Sequence, residues 1–308
     1  MRKDFVNEVS RIQGIKRTDF IEKDLLLHQL LLDLSENEFF SENFIFKGGT
    51  CLIKCFLGYF RFSEDIDFTW KHQEVFEGKS QKEVRSYLSK VIDEVGSLFE
   101  QIALKRGFDF KCEKDNRNYV ELGGSDKTCT LKIWYQSETL GQRSFVKIQI
   151  NFVEKLCFAP QKAELGSLLS EGQEELEALF PEYKEYAQKI SFDVYDIHEI
   201  LSEKVRAILT RKGIKARDFL DVYLICSKYG INLEDLHECI VDKTKFLLNL
   251  YEKYRMNLEA KKDILTSENA FTWGEERELL LSDIDEKEFY KFLADFSLFL
   301  KKVTEELT

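Results

Sequence analysis

The sequence predicts an α+β fold, in which an N-terminal lobe with a small mixed β-sheet is followed by an all-helical C-terminal lobe. Runs in which apolar and polar residues alternate, as in strands, all lie before residue 155. Beyond residue 190 the apolar residues recur at helical spacing. We therefore expect residues 1–158 to form the α+β lobe, residues 159–190 to connect the lobes, and residues 191–308 to form the helical lobe.

The first part of the N-terminal lobe combines one long helix with two short strands. Residues 19–34 are rich in leucine at helical spacing and predict a helix that is largely buried. Residues 44–49 predict a short strand that ends in two glycines, and residues 50–58 predict a short helix that stops at a glycine. Residues 61–70 predict a second strand, whose alternation puts two aspartates on one face.

A second helix and further strands complete this lobe. Residues 80–106 have the pattern of a helix, and strand-like runs follow near residues 119–122, at 129–136 and at 144–154. The last two runs flank a turn-rich segment, which indicates a hairpin. The next segment, residues 161–187, is rich in glutamate and favours a helix or a loop.

Two helices open the C-terminal lobe. Residues 196–213 predict the first, with Asp196 and Glu199 spaced as in a capping box and Gly213 as its C-terminal stop. Residues 216–230 predict the second, which also ends at a glycine. The remaining residues have the pattern of further helices.

Charge is uneven along the chain. The 45 basic and 56 acidic residues give a net charge of −11, which makes the whole chain a poor non-specific binder of nucleic acid. Residues 231–308 are acidic, whereas residues 201–217 hold six basic residues against a single acidic one. This basic segment is either a solvated helix face or a local patch for an anionic ligand. Its basic residues are Lys204, Arg206, Arg211, Lys212, Lys215 and Arg217.

The sequence lacks the signals of membrane, secreted and zinc proteins. No apolar run approaches the ~20 residues that cross a bilayer, and no apolar block follows the basic N-terminus. The seven cysteines show no CxxC spacing, and the four histidines do not cluster near them. We therefore expect free thiols, a cytoplasmic location and no membrane partner.

The densest group of chemically useful residues lies in residues 47–68. Gly48 and Gly49 join a strand to a helix, and glycines at a helix start allow close approach of a phosphate to backbone N–H groups. Asp65 and Asp67 lie two apart on the next strand, so their carboxylates share one face, roughly 6–7 Å apart. Two neighbouring carboxylates favour a bound cation, and Mg²⁺ held by them and by phosphate oxygens would satisfy both.

A second group lies on the two helices of the C-terminal lobe. Lys204 falls inside the apolar stripe of the first helix, where an unpaired charge is costly, and Arg211 lies further along nearly the same face. Lys204 is either a lysine that extends its amine to solvent or one held against an anion or a carboxylate. On the second helix Asp218 and Asp221 share a polar face beside Arg217, as ion pairs within the helix or as part of a site.

These motifs together resemble a known family. The pattern GGT-x-L followed by RFS-x-DIDF resembles the AbiEii/MenT-type toxin nucleotidyltransferases, a branch of the DNA polymerase β-like superfamily. The segment IEKDLLL at 21–27 resembles the helix that precedes the glycine motif in that family. Residues 197–225 resemble its later motifs, E-K-x-x-A and K-x-R-D-x-x-D. The resemblance covers about residues 5–225.

The resemblance implies a polymerase β-like fold and a defined activity. It implies transfer of a nucleoside monophosphate from a nucleoside triphosphate to an acceptor, with release of pyrophosphate. The acceptor class includes the 3′ end of tRNA. The family context is a toxin with a cognate antitoxin, acting in abortive infection by phage or in growth control. The basic segment 201–217 fits an RNA backbone.

The resemblance also implies roles for individual residues. Asp65 and Asp67 would hold Mg²⁺, or Mn²⁺ in its place, on the nucleoside triphosphate. Lys204, with Asp218 to orient it, would bring the helical lobe into the active site and neutralise phosphate charge. The other nucleotide-binding residues that it implies are Lys47, Gly48, Gly49, Thr50, Arg61, Ser63, Arg211, Arg217 and Asp221.

One position departs from the family pattern. The superfamily adds a third carboxylate from a neighbouring strand, but the matching run VKIQI has Gln149 at that place. A glutamine binds Mg²⁺ less well than a carboxylate. Either two aspartates suffice, or another acid such as Glu154 substitutes, or the enzyme is weakened.

Two other classes of function remain open. The chain could transfer a nucleotide to a hydroxyl of a protein or a small molecule instead of RNA. It could also be an inactive nucleotidyltransferase fold that binds a nucleoside triphosphate, a reading that Gln149 favours and the intact pair Asp65 and Asp67 opposes.

Overall fold

The structure, a computed structural model, describes residues 2–169, 174–265 and 271–307. It divides into two compact units, one of residues 1–154 and 160–194 and the other of residues 155–159 and 195–308. The predicted α+β fold is confirmed, because the first unit contains a mixed sheet with helices and the second unit is built from helices.

The first unit contains one mixed sheet in the order β3-β4-β5-β2-β1-β7-β6. Two neighbouring pairs, β2 with β5 and β1 with β7, are parallel, and the other pairs are antiparallel. The strands are β1 (Phe44–Lys47), β2 (Asp65–Trp70), β3 (Val120–Gly123), β4 (Thr128–Gln136), β5 (Arg143–Asn151), β6 (Gln161–Leu165) and β7 (Ile190–Val194). The predicted hairpin between β4 and β5 is confirmed.

Helices pack against the apolar face of this sheet. The leucine-rich segment forms α2, whose side chains are buried on almost every side because α1, α3, β5 and β7 surround it. A π-helical turn, Leu52–Leu57, extends α4 up to Gly58. The helices are α1 (Arg2–Gln13), α2 (Thr18–Ser35), α3 (Glu38–Asn43), α4 (Gly48–Cys51), α5 (Gln81–Arg106) and α6 (Glu174–Leu179), with 3₁₀ turns at Gln73–Phe76 and Pro181–Ala187.

The sheet has one apolar and one polar face, as the alternation along its strands predicts. Phe46, Ile66, Phe68, Ile148 and Ile150 are fully buried on the apolar face. Their neighbours in sequence point the other way, so Asp65, Asp67, Lys147 and Gln149 share the polar face.

The segment 159–190 differs from its prediction as a helix or loop connecting two lobes. It supplies β6 and the start of β7, which pair with each other at the edge of the sheet. The expectations that strands lie only before residue 155 and that strand signals stop after residue 190 are therefore wrong. Strand β6 is polar and mostly exposed, as edge strands often are, so its sequence carries no apolar alternation.

The second unit contains the helices α7 (Ile197–Thr210), α8 (Ala216–Tyr229), α9 (His237–Leu250), α10 (Glu252–Leu265) and α11 (Glu286–Leu307), with 3₁₀ turns at Leu233–Leu236 and Glu275–Leu279. Helix α7 lies against α8, α9 and α10 and forms the centre of this unit. Among the described residues, no helix is long and apolar enough to cross a membrane.

Two details of α7 differ from the sequence prediction. Asp196 caps the helix by accepting from the backbone N–H of His198, but Glu199 does not complete a capping box. Instead Glu199 is fully buried and accepts from the backbone N–H groups of Cys157 and Phe158 and from Lys243. The helix also ends at Thr210, before Gly213.

Glu199 lies beside the thiols of Cys157 and Cys239, all within 4.8 Å of one another. Hydrogen bonds already occupy both oxygens of this carboxylate, and the ammonium of Lys243 contacts it. Glu199, Lys243 and the two thiols therefore form part of the core in which α7, α9 and residues 155–159 pack together. All seven cysteines are free thiols, as predicted.

The buried His28 of α2 makes stability depend on pH. Burial and the charge of Lys54 lower its pKa to about 3, whereas the pKa of an unfolded histidine is about 6.5. Below about pH 6.5 the unfolded chain binds a proton that the folded chain does not, so His28 should cost about 1.4 kcal/mol of stability per pH unit down to about pH 3.

Urea unfolding of wild type and His28→Gln between pH 7 and pH 4 measures this effect. We expect the wild type to lose more stability than the variant as the pH falls. Gln101→Ala, a change at an exposed non-titrating residue of α5, should leave the pH dependence unchanged. Parallel curves for wild type and His28→Gln would contradict the assignment.

Candidate active site

Two carboxylates stand side by side on the polar face of β2. Asp65 and Asp67 alternate with the buried Ile66 and Phe68, so both point away from the core and both are partly exposed. The predicted common face is thus confirmed, and the predicted strand is present but begins at Asp65 rather than at residue 61.

Gly48 and Asp67 fit each other so closely that only glycine is possible at position 48. Its φ is +77°, a region that L side chains rarely adopt, and a Cβ atom there would lie 2.2 Å from Oδ2 of Asp67. In the sheet register Lys47 pairs with Asp67. The carboxylate is therefore held against the backbone at the start of α4.

Side chains of Thr50, Arg61 and Ser63 support the turn at Gly48 and Gly49. The buried Arg61 donates to the carbonyl of Phe62, and a Cβ atom on Gly49 would lie 3.0 Å from its guanidinium. Thr50 is buried and donates its hydroxyl proton to the carbonyl of Asp65, with Oγ of Ser63 2.9 Å away. These three side chains fix the positions of Gly49 and Asp65, and their contact with phosphates stays a prediction.

Each aspartate has a partner on β5. Nζ of Lys147 lies 2.8 Å from Oδ2 of Asp65. The amide of Gln149 donates to Oδ1 of Asp67 over 3.0 Å. Gln149 thus stands directly beside Asp67, at the position expected for a third carboxylate, and supplies a hydrogen-bond donor where that carboxylate would supply an acceptor.

Glu154, the alternative acid, is paired with Lys47. Nζ of Lys47 and Oε2 of Glu154 are 3.6 Å apart, and the two side chains are only 5% and 2% exposed. Oε1 of Glu154 is buried without a hydrogen-bond partner among the described residues. Within the described part of the chain, the carboxylates of Asp65, Asp67 and Glu154 do not lie close enough together to act as three ligands of one metal ion. A divalent cation here would therefore be held by the two aspartates and by oxygens of the substrate.

Removing the charge of Glu154 should destabilise the first unit. Glu154→Gln leaves the ammonium of Lys47 buried beside a neutral amide, which we expect to cost about 3 kcal/mol of unfolding free energy. Glu164→Gln breaks an exposed pair with Lys189 on the same sheet and should cost less than about 1 kcal/mol. Urea unfolding compares them, and equal stability of both variants would contradict the buried pair.

The second unit brings together the other predicted residues. Nζ of Lys204 lies 2.7 Å from Asp221 and 3.2 Å from Asp218, and Arg211 contacts Asp218 as well. These pairs join α7 to α8, so Lys204 does not extend to solvent and the aspartates do not pair only within their own helix. Arg217 lies near enough for its positive charge to lower the pKa of Asp218.

Asp218 and Asp221 are almost completely buried, whereas the guanidinium of Arg211 reaches the surface. Burial raises the pKa of Asp218, but the positive charges of Lys204 and Arg211 outweigh that effect and keep its pKa below the usual value. The carboxylate of Asp218 therefore stays ionised and holds Lys204 and Arg211 in fixed positions.

Lys261 of α10 joins this cluster, although no sequence motif singles it out. Its Nζ donates to the carbonyl of Ile208 over 2.6 Å, and burial, with Arg211 nearby, lowers its pKa to about 8. A signal was present, because Lys261 lies between Leu258 and Leu265 at helical spacing, inside an apolar stripe.

Comparison with known proteins gives a matching family and similar solved structures. The sequence model of the family described as nucleotidyl transferase AbiEii toxin, type IV TA system, matches residues 29–305. A comparison with curated proteins gives no match. Two crystal structures from Helicobacter pylori are similar. One is JHP933, 16% identical over 94% of both chains with a TM-score of 0.43. The other was proposed to be a nucleotidyltransferase, and is 17% identical over 92% of this chain and 95% of its own, with a TM-score of 0.41.

Proposed function

The chain belongs to the AbiEii family of nucleotidyl transferase toxins from type IV toxin–antitoxin systems, and on that premise we propose that it transfers a nucleoside monophosphate to the 3′ end of an RNA. A nucleoside triphosphate is the donor and tRNA the acceptor that we propose. The acceptor hydroxyl gives its proton to a carboxylate or to solvent, and its oxygen bonds to the α-phosphorus. The bond from the α-phosphorus to the oxygen of the β-phosphate breaks, and pyrophosphate leaves. The family implies an antitoxin as a partner.

The observation that carries this proposal is the fixed pair of carboxylates at the glycine turn. Asp67 lies against the backbone of Gly48, and the internal hydrogen bond from Thr50 fixes the strand at Asp65. We propose that both aspartates hold Mg²⁺, which when bound offsets the charge of the phosphates. Their positions are set before substrate arrives, as phosphoryl-type transfer requires.

In the second unit, the cluster of Lys204 and Arg211 with Asp218 and Asp221 supports a role in binding phosphate. Lys204 is fixed by Asp218 and Asp221, and Arg211 presents an exposed guanidinium. We propose that Lys204 and Arg211 bind phosphate oxygens of the nucleotide, with the two aspartates as positioning residues.

Label transfer identifies the acceptor. We would incubate the protein with Mg²⁺, each of the four α-labelled nucleoside triphosphates and total bacterial RNA, and separate RNA from protein. Label in RNA of tRNA size supports the proposal. Label on the protein itself, lost in Asp67→Asn, would keep the chemistry and replace RNA by a protein hydroxyl as the acceptor.

A further inference from the structure

The polar face of the sheet continues beyond Asp65 into aromatic side chains. Across the strands Asp65 pairs in register with Lys147, and Lys147 with Lys132. The next pair on this face is Phe145 with Trp134. Two residues along a strand and one step across place the Cα atom of Phe145 about 8 Å from that of Asp65.

Phe145 and Trp134 are only partly buried, unlike most aromatic residues of this unit. Their ring centroids are 4.8 Å apart at 55°, and the guanidinium carbon of Arg143 lies 4.4 Å above the Trp134 ring. The side chain of Arg143 is 54% exposed. The exposed edge of this pair is therefore accessible to a ligand.

We propose that Lys132, Trp134, Arg143 and Phe145, here called the aromatic platform, bind the single-stranded 3′ end of the acceptor RNA. This inference rests on the proposed function and adds how the acceptor is held. Unpaired bases stack on aromatic rings and on the guanidinium plane of arginine. Lys132 provides a cation for the adjoining phosphate.

Neighbouring groups hold the cations of the platform in place. Arg143 contacts the carboxylate of Asp109, which also accepts from the hydroxyl of Tyr119 over 2.7 Å. Nζ of Lys132 donates to the carbonyl of Arg117 over 2.9 Å and lies 3.6 Å from Glu121.

These acidic neighbours offset most of the positive charge around the platform. Stacking on the rings therefore supplies part of the binding, beside the phosphate contact of Lys132.

The position of the platform explains why it suits an acceptor. It lies on the same sheet face as Asp65, and two of its residues, Arg143 and Phe145, lie on β5 with Lys147. The last nucleotides of an RNA strand stacked there would therefore end beside the carboxylates. A cross-strand aromatic pair also stabilises a hairpin, and a purely structural pair would affect stability without changing RNA affinity.

The test measures RNA binding separately from transfer. Fluorescence anisotropy with a labelled single-stranded RNA ending in a free 3′ hydroxyl, in the absence of nucleoside triphosphate, gives the Kd. We expect Phe145→Leu and Arg143→Gln each to raise the Kd about tenfold or more. Phe39→Leu, a change at a partly exposed phenylalanine that contacts Phe44, should leave it unchanged.

Folding and function are checked in the same set of variants. Arg143→Gln alters an exposed side chain and should keep the wild-type melting temperature, so it tests the platform even if Phe145→Leu is unstable. Wild-type Kd values in both variants, or no RNA binding by the wild type, would overturn the platform. RNA binding that both variants weaken, without label transfer to RNA by the wild type, would instead support the platform and count against the proposed function.

Discussion

Asp67→Asn should reduce nucleotidyl transfer by about 1,000-fold while leaving the fold intact. Asparagine has nearly the same size as aspartate, so it fits against Gly48 and can still accept from Gln149. It lacks the negative charge, however, and the proposed divalent cation would lose one of its two carboxylates. Removing a single preorganised charge-stabilising group typically costs 100- to 1,000-fold in rate.

Transfer of α-label under single-turnover conditions measures this loss, and urea unfolding measures the stability of the same protein. Asp93→Asn, which alters an exposed carboxylate of α5 paired with Lys114, serves as the matched control and should behave as wild type. Full transfer activity in Asp67→Asn would show that this carboxylate takes no part in the reaction.

Lys204→Met should remove both stability and activity, for two separable reasons. The ammonium of Lys204 compensates two buried carboxylates, and losing one partner of a buried ion pair costs about 3–5 kcal/mol. The proposed contact between Lys204 and phosphate would disappear as well, which we expect to lower transfer by at least about 100-fold.

The double variant Lys204→Met/Asp221→Asn separates the two effects. It removes one negative charge together with the positive one, so most of the lost unfolding free energy should return. Transfer should remain at least about 100-fold below wild type, because the amine is still absent. Recovery of activity together with stability would mean that Lys204 is a structural residue only.

Local patterns predicted the elements that rest on local physics. Helix α2, the alternation of Asp65 and Asp67 on β2, and the β4–β5 hairpin depend on spacing and turn residues within one segment, and all are present. Strand β7 was missed although Ile190, Phe192 and Val194 alternate inward, because five residues are too few to outweigh their glutamate-rich surroundings.

Contacts between side chains on different strands or helices could not be predicted from the sequence. The sequence shows that Lys147 and Gln149 alternate, but their contacts with Asp65 and Asp67 follow from a parallel register between distant segments. Thr50 illustrates the same limit, since its hydroxyl meets the carbonyl of Asp65 only after the turn has folded.

The reaction class itself is tested most directly by following two labels of one nucleoside triphosphate. With the protein, Mg²⁺ and total RNA, label at the α-phosphate should enter RNA while label at the γ-phosphate appears in pyrophosphate. Asp67→Asn should lower both signals by about 1,000-fold. Transfer of the γ-label to any acceptor would make the chain a kinase. Release of neither label by the folded wild type would contradict nucleotidyl transfer.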